Sequence, residues 1–231
     1  MEPVITIPAM GDNFIYLYRY EQRKAFAVDP GQAEPVLRAL EDNGLDLTMI
    51  LVTHHHSDHT GGIAKLKKMT ACEVIGSDAK RIPGLDRVVG DGDIVTAANV
   101  NIKVIATPGH TVSSVCYYVT EVDQSPAVFT GDTLFTAGCG RIFECDPRTM
   151  YDSLRKLASL PDETLVYGGH DYTQENYEFA LTVEPDNDAV KRAQTHAGSV
   201  STILQERQTN PFLRATDAKI FAERRSQKDV F

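Results

Sequence analysis

The chain has 231 residues, its 32 acidic side chains outnumber 23 Lys and Arg, and the formal net charge is -9. That length accommodates one large domain or a domain with an appendage, and the acidic balance argues against a nucleic-acid backbone or an anionic membrane as the main partner, because both need clustered basic groups. The opening MEPVITIPAMGDN has no basic start followed by an apolar run, and no stretch reaches the roughly 18 apolar residues of a membrane span, so a soluble protein without a signal peptide is expected.

In chain order, VITIP, FIYLYRY and KAFAVD read as strands, β-branched and aromatic runs bounded by Gly, Pro, Asn and Asp. AEPVLRALEDNG follows as a helix: Val36, Leu37 and Leu40 keep helical spacing, and Gly44 supplies a stop. The strand TMILVT leads into a histidine-rich loop, after which Thr60 is expected to cap a helix beginning GGIAKLKKM. EVIGS, DIVTAANVNIKVIAT, SVCYYV, AVFTGD and LVY continue the strand series, so the first two thirds follow a mixed α/β plan. Beyond about His170, helical periodicity takes over: Tyr177, Ala180 and Leu181, then Val190 through Gln205, then DAKIFAERRSQK, with TNPF as a connecting loop. The four cysteines, Cys72, Cys116, Cys139 and Cys145, show neither CxxC pairing nor scaffold density, and read as reduced thiols of a cytosolic protein.

The loop THHHSDHTGG, Thr53 to Gly62, holds four of the chain's 7 histidines. Such crowding gains little unless a cation organises the imidazoles. His54 and His56 sit two apart after a strand and can project to one side, while Asp58 and His59 reach a neighbouring position, which reads as two sites. His55, between them, should point the other way, and His196 reads as an exposed helix residue. Three more polar residues stand beside glycine at strand ends: His110 in TPGHT, Asp132 in FTGDT and His170 in VYGGH. In that company Asp132 reads as a bridging carboxylate. Asp29, in VDPG, is either a support that fixes a ligand imidazole or a plain turn former. Imidazoles and carboxylates without thiolates suit Zn, Fe or Mn with open positions. Two such ions lower the pKa of water and polarise the bond it attacks, so the chemistry expected is metal-assisted hydrolysis of an activated acyl or phosphoryl bond.

THxHxDH, Thr53 to His59, followed by later His, Asp and His resembles the metallo-β-lactamase superfamily from about Val4 to His170. The resemblance implies an αββα sandwich with metals at one edge of two sheets. It assigns His54, His56 and His110 to a first divalent ion, Asp58, His59 and His170 to a second, and Asp132 to the bridge. Zinc is the expected metal, with Fe or Mn as alternatives, and Asp58 and Asp132 are the expected catalytic carboxylates.

GDTLFTAGCGRIFE, GGHDYT and the ending RRSQKDVF are similar to the glyoxalase II, or hydroxyacylglutathione hydrolase, family over nearly the whole chain. This resemblance divides the chain into a metal-binding catalytic domain, 1–170, and a C-terminal helical region, 171–231, that helps bind glutathione. It implies hydrolysis of S-D-lactoylglutathione to glutathione and D-lactate in methylglyoxal disposal, by a cytoplasmic monomer without nucleic-acid or membrane partners. Arg141, Tyr172, Arg225 and Lys228 are the implied glutathione contacts, with Phe143 where the family often has Tyr. An anionic conjugate does need a cationic clamp on so acidic a protein. The competing reading makes Arg224, Arg225 and Lys228 a solvated helix face. Cys139 reads as a small packing residue. A mono-iron persulfide dioxygenase on the same fold is the alternative enzyme, with other hydrolases of the superfamily behind it.

Overall fold

Alternating apolar residues draw the start of the chain into an antiparallel pair, β1 (Val4–Ala9) and β2 (Asn13–Arg19), in register Val4 with Tyr18. These are the first elements of a computed structural model that describes residues 3–122, 124–195 and 198–231. His196 lies outside the described residues. The chain divides into two units, Met1–Ala106 with Val115–Gln124, and Thr107–Ser114 with Ser125–Phe231.

In the first unit, β3 (Lys24–Val28) pairs antiparallel with β2. Helix α1 (Ala33–Asn43) then returns the chain to β4 (Asp46–Val52), parallel to β3. Gly44 closes α1 at φ 61°, the left-handed stop expected of glycine. After the short α2 (Ser57–Thr60), α3 (Ile63–Thr70) carries the chain to β5 (Glu73–Gly76) and β6 (Arg87–Val88), giving a sheet ordered β1-β2-β3-β4-β5-β6. Ile50, Leu51 and Val52 are fully buried, as a strand covered on both faces requires. Val36 and Leu40 of α1 and Ile63 and Leu66 of α3 join Ile50, Val52 and Val74 in one core, each contributing about 1.5–3 kcal/mol. The run DIVTAANVNIKVIAT breaks into β7 (Ile94–Ala97) and β8 (Val100–Ala106) at Ala98, whose φ is 52°, and β9 (Val115–Thr120) pairs antiparallel with β8.

Thr60 does not cap α3. Its hydroxyl donates to His56 O at 3.0 Å, and Gly62 occupies the N-cap. A Cβ at Gly62 would lie 2.6 Å from Pro30 O, so no capping side chain fits there.

The second unit is built on β10 (Ala127–Gly131), which is parallel to β13 (Leu165–Gly168). Between them come the hairpin β11 (Leu134–Phe135) and β12 (Gly138–Cys139), and α4 (Pro147–Ala158). Asp146 caps α4 by accepting from Thr149 N at 2.8 Å, and Pro147 begins its first turn. The C-terminal elements are α5 (Thr173–Val183), α6 (Asp188–Gln194), β14 (Val200–Thr202), α7 (Ile203–Thr209) and α8 (Ala218–Lys228). Val190 through Gln205 is therefore not one helix. Residues 200–202 instead pair antiparallel with β13, Leu165 opposite Thr202, and Thr202 then caps α7. Backbone groups of β13 require that partner more than the local propensity of the segment requires a helix. No helix among the described residues is long and apolar enough to cross a membrane, and all four cysteines are thiols outside any disulfide.

Candidate metal centre

Because β3 and β4 run parallel, their carboxyl ends lie side by side, and the residues just beyond them meet. Asp29 N donates to Leu51 O at 3.1 Å, and Thr53 N donates to Asp29 Oδ1 at 2.8 Å. Asp29 sits at φ 50°, a conformation disfavoured for a residue that precedes proline. Its carboxylate, only 3% exposed, offsets that strain by accepting two further hydrogen bonds, from Thr53 Oγ1 at 2.6 Å and from His59 Nδ1 at 3.1 Å. Asp29 is thus more than a turn former.

This network decides the imidazole tautomers in the first unit. The Thr53 hydroxyl gives its proton to Asp29, so it accepts from His54 Nδ1 at 3.0 Å. His59 Nδ1 is likewise committed to Asp29. The lone pairs of both rings are left on Nε2. His54 Nε2 lies 3.1 Å from His56 Nδ1, and His59 Nε2 lies 3.2 Å from Asp58 Oδ2, which also accepts from Asn13 Nδ2 at 3.0 Å. A nitrogen lone pair facing a carboxylate oxygen at that distance is repulsive unless a proton or cation stands between them. His55 turns away, its Nε2 3.5 Å from an Arg81 guanidinium nitrogen.

The second unit repeats the pattern with different supports. His110 follows β8 in sequence, Asp132 follows β10, and His170 follows β13. His110 Nδ1 donates to Arg141 O at 2.8 Å, leaving its Nε2 lone pair 3.3 Å from Asp132 Oδ2; His170 Nε2 is 3.4 Å from the same oxygen. Asp132 is 8% exposed. A Cβ at Gly140 would come within 2.0 Å of Asp132 O and 3.1 Å of His110 Nδ1, so the chain passes directly over both residues. Neutral imidazoles and carboxylates, with no thiolate among them, form a donor set that fits divalent metal ions in a binuclear arrangement.

The expected substrate contacts all belong to the second unit. The Phe143 ring is largely exposed and meets the His110 ring edge-on, 5.1 Å between centroids. Tyr172 stacks on His170 at 5.0 Å. Arg141 has an exposed guanidinium 4.0 Å from Asp229. Arg225 is turned inward, 5% exposed, donating to Cys139 O at 2.7 Å and to Asp229 at 3.0 Å, over the Phe212 ring. Lys228 pairs with Glu175 above the Phe179 and Phe231 rings, and Arg224 pairs with Glu184. The side chains of Arg224, Arg225 and Lys228 are 18%, 7% and 7% exposed, so the solvated-face reading of α8 is overturned: aromatic rings and carboxylates take the place of water.

Burial pushes the Cys139 thiol up to about 11, which keeps it protonated at neutral pH and fits a packing residue. Burial also raises the Glu206 carboxyl to about 7, although it accepts hydrogen bonds from Ala137 N and Asn210. Glu206, Asn210, Asn13 and Thr53 are supporting residues that the sequence reading does not single out. Thr53 had a signal, its place between a strand end and the first histidine; the other three contact their partners only through tertiary structure.

Residues 10–170 match the Metallo-beta-lactamase superfamily and residues 171–231 match the Hydroxyacylglutathione hydrolase C-terminus. The hydroxyacylglutathione hydrolase of Rhodospirillum rubrum is 45% identical over 97% of this chain and 97% of its own, and that of Pseudomonas entomophila is 42% identical over 100% of both. Among solved structures, ETHE1 from Myxococcus xanthus superposes with a TM-score of 0.76 at 29% identity, covering 96% of this chain and 89% of that one. TTHA1623 in a di-iron-bound form superposes with a TM-score of 0.65 at 25% identity, covering 91% and 99%. These likenesses establish the αββα fold class and the hydrolase class together, and the chain belongs to the hydroxyacylglutathione hydrolase family of the metallo-beta-lactamase superfamily.

Proposed function

We propose that this protein hydrolyses the thioester of a 2-hydroxyacylglutathione, S-D-lactoylglutathione in particular, releasing glutathione and D-lactate. The observation that carries the reading is the set of imidazole nitrogens turned on carboxylates, His59 on Asp58 in one unit and His110 and His170 on Asp132 in the other, with the lone pairs of His59 and His110 facing the carboxylate oxygens. In this reading His54, His56 and His110 hold one divalent ion, Asp58, His59 and His170 hold a second, and Asp132 serves both. Zinc suits these borderline donors, with iron or manganese as alternatives. When bound, a pair of such ions acidifies water toward neutral pH and polarises a carbonyl.

The chain's own residues do the rest. Asp29, directly and through Thr53, and the Arg141 carbonyl hold the tautomers of His59, His54 and His110, so these three rings need not reorient when substrate arrives. Asp58, held at Oδ2 by Asn13 and with its side chain 39% exposed, takes the proton of the attacking water. Phe143 and Tyr172 flank His110 and His170 as apolar walls for the thioester, and Arg141 offers its exposed guanidinium to a glutathione carboxylate. Residues 171–231 complete the glutathione side, where Lys228 stands beside Glu175, while Arg225 is committed to Cys139 O and Asp229 beneath it. The departing thiolate needs no strong acid, since a thiol of this kind has a pKa of about 8.5. A cytoplasmic monomer acting on a small molecule, with no part for nucleic acid or membrane, completes the proposal.

The test is to count metals in the purified protein by elemental analysis and to follow cleavage of S-D-lactoylglutathione beside a plain acyl-coenzyme A. Two divalent ions per chain and a preference for the glutathione thioester are expected. Equal rates on both thioesters would overturn the substrate assignment, and oxygen consumption with glutathione persulfide would replace it with a dioxygenase.

A further inference from the structure

Residues 136–139, the tip and returning limb of the β11–β12 hairpin, are buried, and of them only Gly138 and Cys139 stand in a strand ladder, two residues long. Ala137 is fully buried at φ 55°, the left-handed region that costs a residue with a Cβ. Buried backbone groups need partners, and here side chains from three C-terminal helices provide them in succession. Asn176 of α5 donates to Thr136 O at 3.0 Å. Glu206 of α7 accepts from Ala137 N at 3.0 and 3.2 Å. Asn210 donates to Gly138 O at 2.9 Å and to Glu206 at 2.7 Å. Arg225 of α8 donates to Cys139 O at 2.7 Å. All four residues are at most 5% exposed, and a Cβ at Gly138 would come within 2.3 Å of Asn176.

Both ends of this turn lead to proposed metal ligands. Asp132 precedes β11 by two positions, and Gly140, directly after β12, is packed against Asp132 O and the His110 ring. The next residue, Arg141, supplies the carbonyl that holds the His110 tautomer. A displacement of the turn is therefore a displacement of both supports. We propose that Glu206 and Arg225 are positioning residues, whose task is to hold the Thr136–Cys139 turn and through it Asp132 and His110 in their working geometry. This rests on the hydrolase reading above, and it gives the C-terminal region a second task beside glutathione binding.

The test uses the full-length, metal-loaded protein and the variants E206A, E206Q and R225A, with three readouts: amide hydrogen exchange across 134–141, metal content, and kcat and KM on S-D-lactoylglutathione. E206A and R225A are expected to speed exchange across 134–141 by about tenfold or more while leaving 53–60 unchanged. They should lower kcat by ~10- to 100-fold with KM within about threefold, as misplacement of reacting groups does. E206Q should stay within about threefold of the parent, because one amide oxygen can accept from both Ala137 N and Asn210. Unchanged exchange in E206A, or E206Q as impaired as E206A, overturns the proposal. So does an R225A defect confined to KM, which would make Arg225 a substrate contact. If E206A does not fold, E206Q and R225A decide the matter alone. Should the parent protein fail to cleave the thioester, the hydrolase reading falls, while exchange and metal content still decide the positioning role.

Discussion

The two units furnish the proposed ligands in opposite ways. In the first, four of them, His54, His56, Asp58 and His59, fall within six residues directly after β4. Their support is a side chain, Asp29, at the end of the adjacent parallel strand. In the second, His110, Asp132 and His170 each stand alone after a different strand, and a backbone carbonyl, Arg141 O, fixes the one tautomer assigned there. A local cluster needs one well-placed anion to order it. Dispersed ligands need a scaffold of loops, and here the C-terminal helices hold that scaffold from behind.

The largest expected effect tests the dispersed side. Asp132→Ala removes the oxygen that two imidazoles face, and kcat/KM should fall by at least ~10³-fold with loss of at least one ion per chain. Elemental analysis beside thioester kinetics checks both, and a fully loaded, fully active variant would contradict the bridging role.

Next comes the pH dependence of the helical brace. Glu206 binds its proton more tightly folded, at about 7, than its reference of 4.5. Its contribution to stability is therefore full below the unfolded value and is lost as pH rises through about 7. Tyr177, the titratable neighbour, is pushed up to about 12 and stays protonated throughout. Glu206→Gln should remove this loss, so that denaturant unfolding finds the variant gaining about 2–3 kcal/mol on the parent between pH 5 and 8. A constant difference between the two proteins would show that Glu206 does not titrate in that window.

On the clustered side, Asp29→Asn keeps the shape of the support and removes its charge. Metal affinity should drop by about 10- to 100-fold in chelator competition, the usual cost of losing such a partner. An unaltered affinity would mean that the histidine loop orders itself. The smallest effect concerns the substrate wall: Phe143→Tyr should lower KM for the glutathione thioester about fivefold, the worth of one hydrogen bond of ~1 kcal/mol, with kcat unchanged. An unchanged KM would place the added hydroxyl in solvent.

Much of the first unit could be read in advance. Val36, Leu40 and Gly44 delimit α1, and TMILV of the expected strand TMILVT falls within β4. The errors cluster where a local signal competes with packing. Thr60 looks like a cap, but the close approach of Gly62 to Pro30 O leaves no room for one. Residues 200–202 look helical, but β13 recruits them. The hairpin 134–139 gives almost no periodic signal, because its strands have two residues each and its partners are more than 35 positions away.

By itself the sequence pointed to the metal-assisted hydrolase chemistry, since four of the proposed ligands in one loop and three more at strand ends stand out by residue type and spacing. Only the tertiary structure decided which nitrogen of His54, His59 and His110 keeps its lone pair, and that Arg225 and Glu206 face inward onto a turn. Those outcomes depend on hydrogen bonds between groups up to 86 positions apart in the chain. Such bonds form when packing excludes water and leaves each buried donor a single acceptor within reach.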